Sequence, residues 1–370
     1  EINPGTQRAP KANQDIYDAI NRGSLIVNYT GHGNEFQWAN TKIFDTNVID
    51  SLQNNSFLPL FFTATCEFGR HDDTGNKSGS EELLLMKETG AIATITTARP
   101  VFATANYRLN LAFYNSVFKR INGTYQRLGD IFMQTKNNGL NGVGNRNFSL
   151  LGDPSMKLTY GEQFISLDSL NGELINDADT LRALKLLKFS GSIRNQSQII
   201  NQTFTGIVDI VILDKIQSKE TLGNLGDTPF NYKVRNNVLF DGSASIVNGL
   251  FDFSTVLPAD ISYNPASGRV VMYAYKEDSL LDASGANIDF LIGRSSSQPI
   301  IENDAPEIDV FIGDSTFTNG QIVNANSLLI VKLEDDYGIN TSLNQIGHSI
   351  TYQLDDNEPV ILNAYYSSIN

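Results

Sequence analysis

The chain has 370 residues, which is longer than one ordinary domain and predicts about two or three separate cores. Hydrophobic residues make up 41% of the chain and charged residues 18%, a balance typical of folded and not of disordered proteins. The net charge of -14 repels phosphate backbones and anionic lipid headgroups, so nucleic acid is not an expected partner.

The lengths of the apolar runs and the number of cysteines exclude further classes of protein. No apolar run approaches the roughly 20 residues of a transmembrane helix, and no secretory leader opens the chain, which starts at Glu1. We therefore expect a soluble, processed or truncated product. The single cysteine excludes an internal disulfide and a multi-cysteine metal site. Cys66 is thus either a small buried hydrophobe or a reactive thiol.

Helix and strand patterns alternate over residues 1–160. Three apolar runs in succession along the chain predict buried strands, and 3.6-residue periodicity predicts the helices between and after them. The predicted strands are 24–29, 58–65 and 91–97, and the predicted helices are 12–21, 41–53, 78–89, 104–121 and 125–137. This order predicts a parallel sheet covered on both faces, a three-layer α/β sandwich whose function gathers beyond the carboxyl ends of the strands.

From about residue 161 the pattern changes to alternating strands with Gly, Asn, Asp and Pro turns. A short helix at 183–188 is the one exception that the periodicity suggests. The predicted strands are 204–213, 270–275, 308–312, 328–333 and 350–354. A Pro-rich, polar break at 299–306 divides this part, so we expect immunoglobulin-like β-sandwich domains at 161–300 and 301–370.

Two residues with complementary chemistry end the first two predicted strands. A thiol attacks a carbonyl only as the thiolate, and a histidine is the usual base that activates it. Cys66 and His32 lie 34 residues apart, the spacing of adjacent or near-adjacent parallel strands, so their side chains are expected to approach one site. The backbone N–H groups of Gly33 and Cys66 are candidate oxyanion donors. A packed core cysteine beside an unrelated Gly-His-Gly turn remains the alternative interpretation.

Several blocks of sequence resemble one family. Asn28-Tyr-Thr-Gly-His32-Gly-Asn34 and Thr63-Ala-Thr-Cys66-Glu-Phe are similar to the histidine and cysteine blocks of the caspase-like cysteine peptidases of the gingipain family. The run from Gly90 to Thr97 and the closing block Ser149-Leu-Leu-Gly-Asp-Pro-Ser-Met-Lys-Leu158 resemble the same family. The resemblance spans about residues 12–160 and implies a caspase-like sandwich with Cys66 as nucleophile and His32 as its partner.

Within that family, the amino-acid sequence around His32 and the long β-rich segment that follows most resemble the C-terminal signal peptidases of type IX secretion in Bacteroidetes. This resemblance implies an enzyme at the extracellular face of the outer membrane that needs no cofactor or metal. It would cleave the C-terminal sorting domain from secreted cargo and pass the acyl group through a thioester to an amine of an anionic lipopolysaccharide. Other outer-membrane components of the secretion system are implied partners.

The family also carries an acidic residue upstream that orients the histidine. Glu1, Asp15 and Asp18 are the acids before His32, and we assign the role to none of them. We expect the orienting acid and further strands in a removed N-terminal portion, in which case this chain alone would be inactive. Comparing the thiol-ester turnover of this chain and a longer form tests that expectation.

Two further residues are candidates for the substrate pocket. Glu67 directly follows the nucleophile, although strand-end acids are usually solvated. Trp38, the single tryptophan, follows the histidine loop, although core packing is its commoner use. Two rival functions also stay open on these residues, a general surface cysteine endopeptidase and a non-catalytic adhesion or scaffold protein with a relic peptidase domain.

Overall fold

The computed structural model describes a defined set of ranges along the chain. These are residues 9–139, 142–175, 180–223, 228–258, 261, 264–276, 281–297, 305–324, 326–335, 339, 350–366 and 368–369. The chain divides into two compact units, Glu1–Tyr160 and Gly161–Asn370. Most of the predicted break at 299–306 lies outside the described residues, so the boundary near residue 300 stays a prediction.

The first unit is a mixed α/β structure. Its helices are α1 (Pro10–Asn21), α2 (Thr46–Asp50), α3 (Gly79–Leu85), α4 (Ala103–Val117) and α5 (Leu128–Gly139), with a 3-10 helix at Val143–Asn147. Its strands are β1 (Ile26–Thr30), β2 (Gln37–Trp38), β3 (Phe44–Asp45), β4 (Leu60–Ala64), β5 (Ala93–Thr97), β6 (Arg120–Ile121), β7 (Thr124–Tyr125) and β8 (Phe148–Leu151).

The central sheet has the order β1-β4-β5-β8. The first three strands are parallel, as predicted, whereas β8 was not predicted and pairs antiparallel with β5. Strand β4 shows why both faces are covered, because alternate residues of a strand point to opposite faces. Phe62 packs into one apolar core and Phe61 into the other, and both are fully buried. This part is therefore a three-layer α/β sandwich.

Several predicted helices were wrong in extent or type. Residues 41–53, predicted as one helix, contain strand β3 and the short helix α2, because the Asp45 carboxylate accepts the Val48 N–H at 3.2 Å and starts α2 only after residue 45. Helix α4 ends at Val117, before the predicted residue 121, and α5 begins at Leu128, after the predicted residue 125. Helix α3 begins at the predicted Ser78 capping box but ends at Leu85, where Met86 turns extended. Residues 183–188, predicted as a helix, are instead the end of one strand, a short connection and the start of the next strand.

The described residues of the second unit form strands and one 3-10 turn, which lies at Asn363–Tyr365. Its strands are β9 (Gln163–Leu170), β10 (Glu173–Leu174), β11 (Leu181–Ala183), β12 (Leu186–Arg194), β13 (Gly206–Leu213), β14 (Gln217–Glu220), β15 (Asn231–Val234), β16 (Val238–Ile246), β17 (Leu250–Val256), β18 (Ala266–Ser267), β19 (Arg269–Tyr275), β20 (Asp282–Asn287), β21 (Leu291–Ser295), β22 (Glu307–Ile312), β23 (Leu329–Glu334), β24 (Thr351–Tyr352), β25 (Val360–Ile361) and β26 (Ser368–Ile369).

A nine-stranded mixed sheet organises the second unit. Its main path is β17-β12-β9-β20-β19-β13-β16-β26, and β10 pairs with β9. Strand β13 illustrates the core, since Val208, Ile210 and Ile212 alternate along it and are all fully buried. The β-rich prediction is confirmed for this unit, and the immunoglobulin-like arrangement stays a prediction. Among the described residues of the chain, no helix has the length and apolar content that crossing a membrane requires.

Candidate active site

His32 and Cys66 occupy equivalent positions beyond two neighbouring strands. The register pairs each β1 residue with the β4 residue 34 positions later, from Ile26 with Leu60 to Thr30 with Ala64. Residues 32 and 66 are also 34 positions apart, and each lies two residues beyond the last pair. Adjacent strands are about 4.8 Å apart. The predicted spacing therefore resolves to adjacent parallel strands that end at one edge of the sheet.

The backbone of His32 is held by two hydrogen bonds. Its carbonyl accepts from the Tyr29 hydroxyl at 2.7 Å and from the Ala39 N–H at 2.7 Å. Burial raises the pKa of Tyr29, so its hydroxyl stays a donor at neutral pH. The His32 residue itself is exposed. A fixed backbone thus presents the imidazole at the surface of this edge.

The glycines on both sides of His32 are required by close packing. A Cβ atom on Gly33 would lie 2.5 Å from Oγ1 of Thr65, and one on Gly31 would lie 2.6 Å from the Tyr29 hydroxyl. Neither distance is tolerated by a side chain. The Gly-His-Gly sequence therefore brings the histidine loop directly against the residue that precedes Cys66.

The two predicted oxyanion donors have no acceptor in the described parts of the chain. Gly33 faces Trp38 across an antiparallel bridge. The hydrogen bonds of that bridge run from the Asn34 N–H to the Gln37 carbonyl at 3.0 Å and from Ala39 to His32, so they leave the Gly33 N–H unused. The Cys66 N–H also donates to no described acceptor. Their catalytic role stays a prediction.

Cys66 is half-buried in a loop tied to β5. Its Sγ donates to the Val101 carbonyl at 3.7 Å. The Thr97 hydroxyl donates to the Thr65 carbonyl, and the Gly69 N–H donates to the Thr97 carbonyl at 2.9 Å. The thiol is therefore held at the junction of the loops that follow β4 and β5.

Residues 1–159 match the model of peptidase family C25. The first unit is thus similar to peptidase family C25 over the 159 matched residues. Hereafter, the first unit, which this family model matches, is called the C25 unit.

Individual relatives of the C25 unit are gingipains of Porphyromonas gingivalis. The chain is 43% identical to gingipain R2 over 56 residues, which are 15% of this chain and 8% of the relative. Gingipain R2 of strain W83 is 36% identical over 89 residues, or 23% of this chain and 12% of the relative. The chain thus spans a small part of these relatives' length.

Two solved structures are similar to this chain. Dimeric latent PorU from Porphyromonas gingivalis is 26% identical with a TM-score of 0.41, covering 76% of this chain and 27% of that one. Gingipain R (RgpB) is 19% identical with a TM-score of 0.37, covering 76% of this chain and 57% of that one.

An ion-pair cluster that the sequence did not indicate joins the two loops of the C25 unit. The Arg70 guanidinium forms a hydrogen-bonded ion pair with Glu35 of the histidine loop. The same Nη1 lies 4.0 Å from Oε1 of Glu67. These charges partly neutralise one another, so Glu67 is not an isolated acid. Its predicted place in the substrate pocket stays a prediction.

A second ion pair links the loop after β5 to the cysteine loop. The Arg99 side chain contacts both carboxylate oxygens of Asp72, one of them at 2.9 Å from Nη1. The hydrogen bond from Arg99 lowers the pKa of Asp72 to about 2. Arg99 lies two residues beyond the end of β5, as His32 and Cys66 lie two beyond β1 and β4. Its position could have been found from the sequence, because Arg99 follows the end of β5 at the same distance at which His32 and Cys66 follow β1 and β4.

Trp38 does not line a substrate pocket, and that prediction is corrected. Its side chain is 2% exposed and stacks on the Tyr29 ring with centroids 4.6 Å apart. The Phe44 ring lies 4.5 Å away on centroids. A side chain enclosed by aromatic rings cannot reach a substrate, so Trp38 supports the histidine loop from within the core.

Two of the acids upstream of His32 have other partners, and the third, Glu1, lies outside the described residues. Asp15 accepts from Lys11 at 2.5 Å, and Asp18 accepts from Gln14 at 2.8 Å, all on α1. Across the part of the chain that the structure describes, no side chain hydrogen-bonds to the His32 imidazole. The location of an orienting acid in a preceding segment stays a prediction.

Proposed function

We propose that Cys66 and His32 form the catalytic dyad of a cysteine endopeptidase and transpeptidase. It removes the C-terminal sorting domain of type IX secreted proteins and transfers the cargo to a lipopolysaccharide amine. The observation that carries the dyad is the shared 34-residue register of β1 and β4. The motif resemblance to type IX signal peptidases supports the choice of substrate, partners and outer-membrane surface location.

The first half-reaction forms a thioester. Proton transfer from Sγ of Cys66 to His32 replaces the thiol contact with Val101 and yields the thiolate. The thiolate attacks the scissile carbonyl, and the N–H groups of Gly33 and Cys66 stabilise the resulting oxyanion. The C–N bond then breaks as His32 returns the proton to the departing amine. The sorting domain leaves with a free amino terminus, and the cargo stays on Cys66.

The second half-reaction resolves the thioester. An acceptor amine attacks the thioester carbonyl while His32 takes its proton, and the C–S bond breaks to release the thiolate. His32 then reprotonates the thiolate. If water attacks instead, the product is a free carboxylate, so hydrolysis and transfer compete for the same intermediate. The outcome depends on how well the acceptor is held near Cys66.

Incubation of full-length enzyme with cargo that bears its sorting domain tests the proposal. Wild type and Cys66→Ala are compared with and without an amine acceptor, and the products are weighed by mass spectrometry. We expect cleavage by wild type alone and an added acceptor mass when the amine is present. Intact cargo after incubation with wild type would exclude the signal-peptidase function. Equal cleavage by both proteins would exclude Cys66 as the nucleophile. Hydrolysis of short peptides with no acceptor preference would indicate a general endopeptidase.

One observation favours a second candidate, a non-catalytic adhesion or scaffold protein with a relic peptidase domain. The Cys66 thiol donates to the Val101 carbonyl at 3.7 Å, so the thiol has a hydrogen-bond partner other than His32. A relic would leave Cys66 unmodified by iodoacetamide and would keep its function in Cys66→Ala. Rapid alkylation that is lost in His32→Ala would exclude this candidate.

A further inference from the structure

A groove of about 870 Å³ lies between α4 and α5 of the C25 unit. Its lining includes the cations Arg108 and Lys119 and the carboxamides of Asn115, Gln134 and Asn137. None of the described residues that line it is Asp or Glu. Ligand pockets have volumes of about 300–1,000 Å³. The groove thus has the size of a binding site and offers many hydrogen-bond donors without a carboxylate.

The groove lining contains two cations, Arg108 and Lys119, and no described acid, although the chain has a net charge of -14. Arg108 and Lys119 are exposed, and neither contacts a carboxylate in the described ranges. Cations without partners in a concave surface attract anions even when the overall charge is negative. The groove therefore favours an anionic ligand.

The other side chains fit a carbohydrate. Gln134 donates its Nε2 to Gln126, whose own Nε2 donates to the Lys119 carbonyl at 3.3 Å, so a chain of amides orients Gln134. Oriented carboxamides suit hydroxyl groups, which both donate and accept. At one end of the groove, Phe102 is 85% exposed. An exposed ring offers an apolar face on which the C–H face of a sugar ring packs.

The groove begins next to the candidate nucleophile. Phe102 directly follows Val101, whose carbonyl accepts the Cys66 thiol at 3.7 Å. The lining then follows α4 as far as Lys119. At about 1.5 Å per residue, this path is about 25 Å long. An oligosaccharide bound along α4 would thus have one end beside Cys66.

We propose that this groove binds an anionic glycan, an oligosaccharide that carries phosphate groups, and presents its amine-bearing end to the Cys66 thioester. Arg108 and Lys119 bind the phosphates, the carboxamides bind sugar hydroxyls, and Phe102 packs on a sugar ring. The role of the bound glycan as acyl acceptor rests on the proposed function, whereas the binding does not.

Calorimetric titration of full-length Cys66→Ala protein tests the binding. The probe is delipidated, phosphate-bearing outer-membrane polysaccharide, compared with the same polysaccharide after chemical removal of its phosphate. We expect binding of the phosphorylated form only, weakened by salt. The double variant Arg108→Gln/Lys119→Gln should bind about tenfold more weakly for each cation removed, because each loses a charge-assisted hydrogen bond. Phe102→Ser should also weaken binding.

The matched control is Arg22→Gln/Lys87→Gln, which makes the same change of charge at exposed residues outside the groove. Equal affinity of the groove variant and the control variant would overturn the proposal, as would equal binding of the dephosphorylated probe. Binding of anionic lipid vesicles without binding of the delipidated polysaccharide would also overturn it, in favour of a lipid surface.

A transfer assay with active protein separates this proposal from the proposed function. We expect the groove variant to release hydrolysed product where wild type releases glycan-linked product. Cargo cleavage that does not depend on Cys66 would contradict the proposed function, but it would not affect the conclusion that the groove binds the glycan. Unchanged transfer by the groove variant would remove the acceptor role of the groove.

Discussion

Gly33 and Thr65 are in such close contact that a Cβ atom on residue 33 would lie 2.5 Å from the Thr65 hydroxyl oxygen. The same atom would lie 2.7 Å from the Gln37 carbonyl. Because one of these atoms belongs to the backbone and the other to a fully buried side chain, a larger residue must displace part of the histidine loop or Thr65. This contact connects the two halves of the candidate site.

Gly33→Ala should therefore reduce the cleavage rate strongly. Displacing a catalytic group by about 1 Å costs about 100-fold in rate, so we expect a loss of that order in kcat/KM. Gly144→Ala is the matched control, because no atom lies within 4 Å of its added Cβ. Cargo cleavage and thermal unfolding of both variants check the prediction, and near-wild-type activity of Gly33→Ala would contradict it.

The ion pair of Arg70 with Glu35 should matter more for activity than for stability. The two side chains are 38% and 21% exposed, so solvent screens the pair and Glu35→Gln should cost no more than about 1 kcal/mol of unfolding free energy. The same change removes the side-chain ion pair between the histidine and cysteine loops, so kcat should fall more than the stability loss explains.

A double-mutant cycle over Glu35→Gln and Arg70→Gln measures the coupling in kcat/KM. Asp15→Asn, which breaks the exposed pair of Asp15 with Lys11 on α1, serves as the control. Additive effects of the two substitutions on kcat/KM would show that the pair does not position the loops.

The Asp72–Arg99 pair should make the C25 unit sensitive to acid. The pKa of Asp72 falls from 3.8 to about 2 in the folded protein. A carboxyl group whose pKa is lowered on folding stabilises the fold above its unfolded pKa, and this stabilisation is lost as the pH falls through the folded pKa. Unfolding of wild type and Asp72→Asn followed between about pH 5 and pH 2 checks this. The variant should lose less stability over that range, and parallel pH profiles would contradict the prediction.

Trp38→Ala should destabilise the fold without changing substrate binding. Removing a large buried aromatic side chain costs about 3–5 kcal/mol, and Trp38 is 2% exposed among aromatic rings. Trp38→Phe keeps much of the packing and should cost less, since the buried indole Nε1 has no hydrogen-bond partner to lose among the described residues. Denaturant unfolding by circular dichroism measures both costs, and a raised KM at unchanged stability would restore the pocket interpretation.

The strands around the site were predictable from local sequence. The apolar runs at 24–29, 58–65 and 91–97 overlap β1, β4 and β5, because strands covered on both faces are largely apolar. The helix expected at 41–53 failed because the Asp45 cap starts a helix only after that residue. The run at 183–188 failed because a short apolar stretch has no periodicity that separates helix from strand.

The reactive residues at the strand ends could be identified from the sequence, whereas their placement relative to one another depends on contacts between segments that are distant in the chain. The 34-residue spacing of His32 and Cys66 allows adjacent strands or strands with one between, and only the hydrogen bonds of β1 with β4 select the first. The burial of Trp38 and the pairing of Arg70 with Glu35 join residues that no local pattern relates. Residue type and hydrophobic periodicity are local properties, but the packing that encloses a side chain comes from segments far away in the chain.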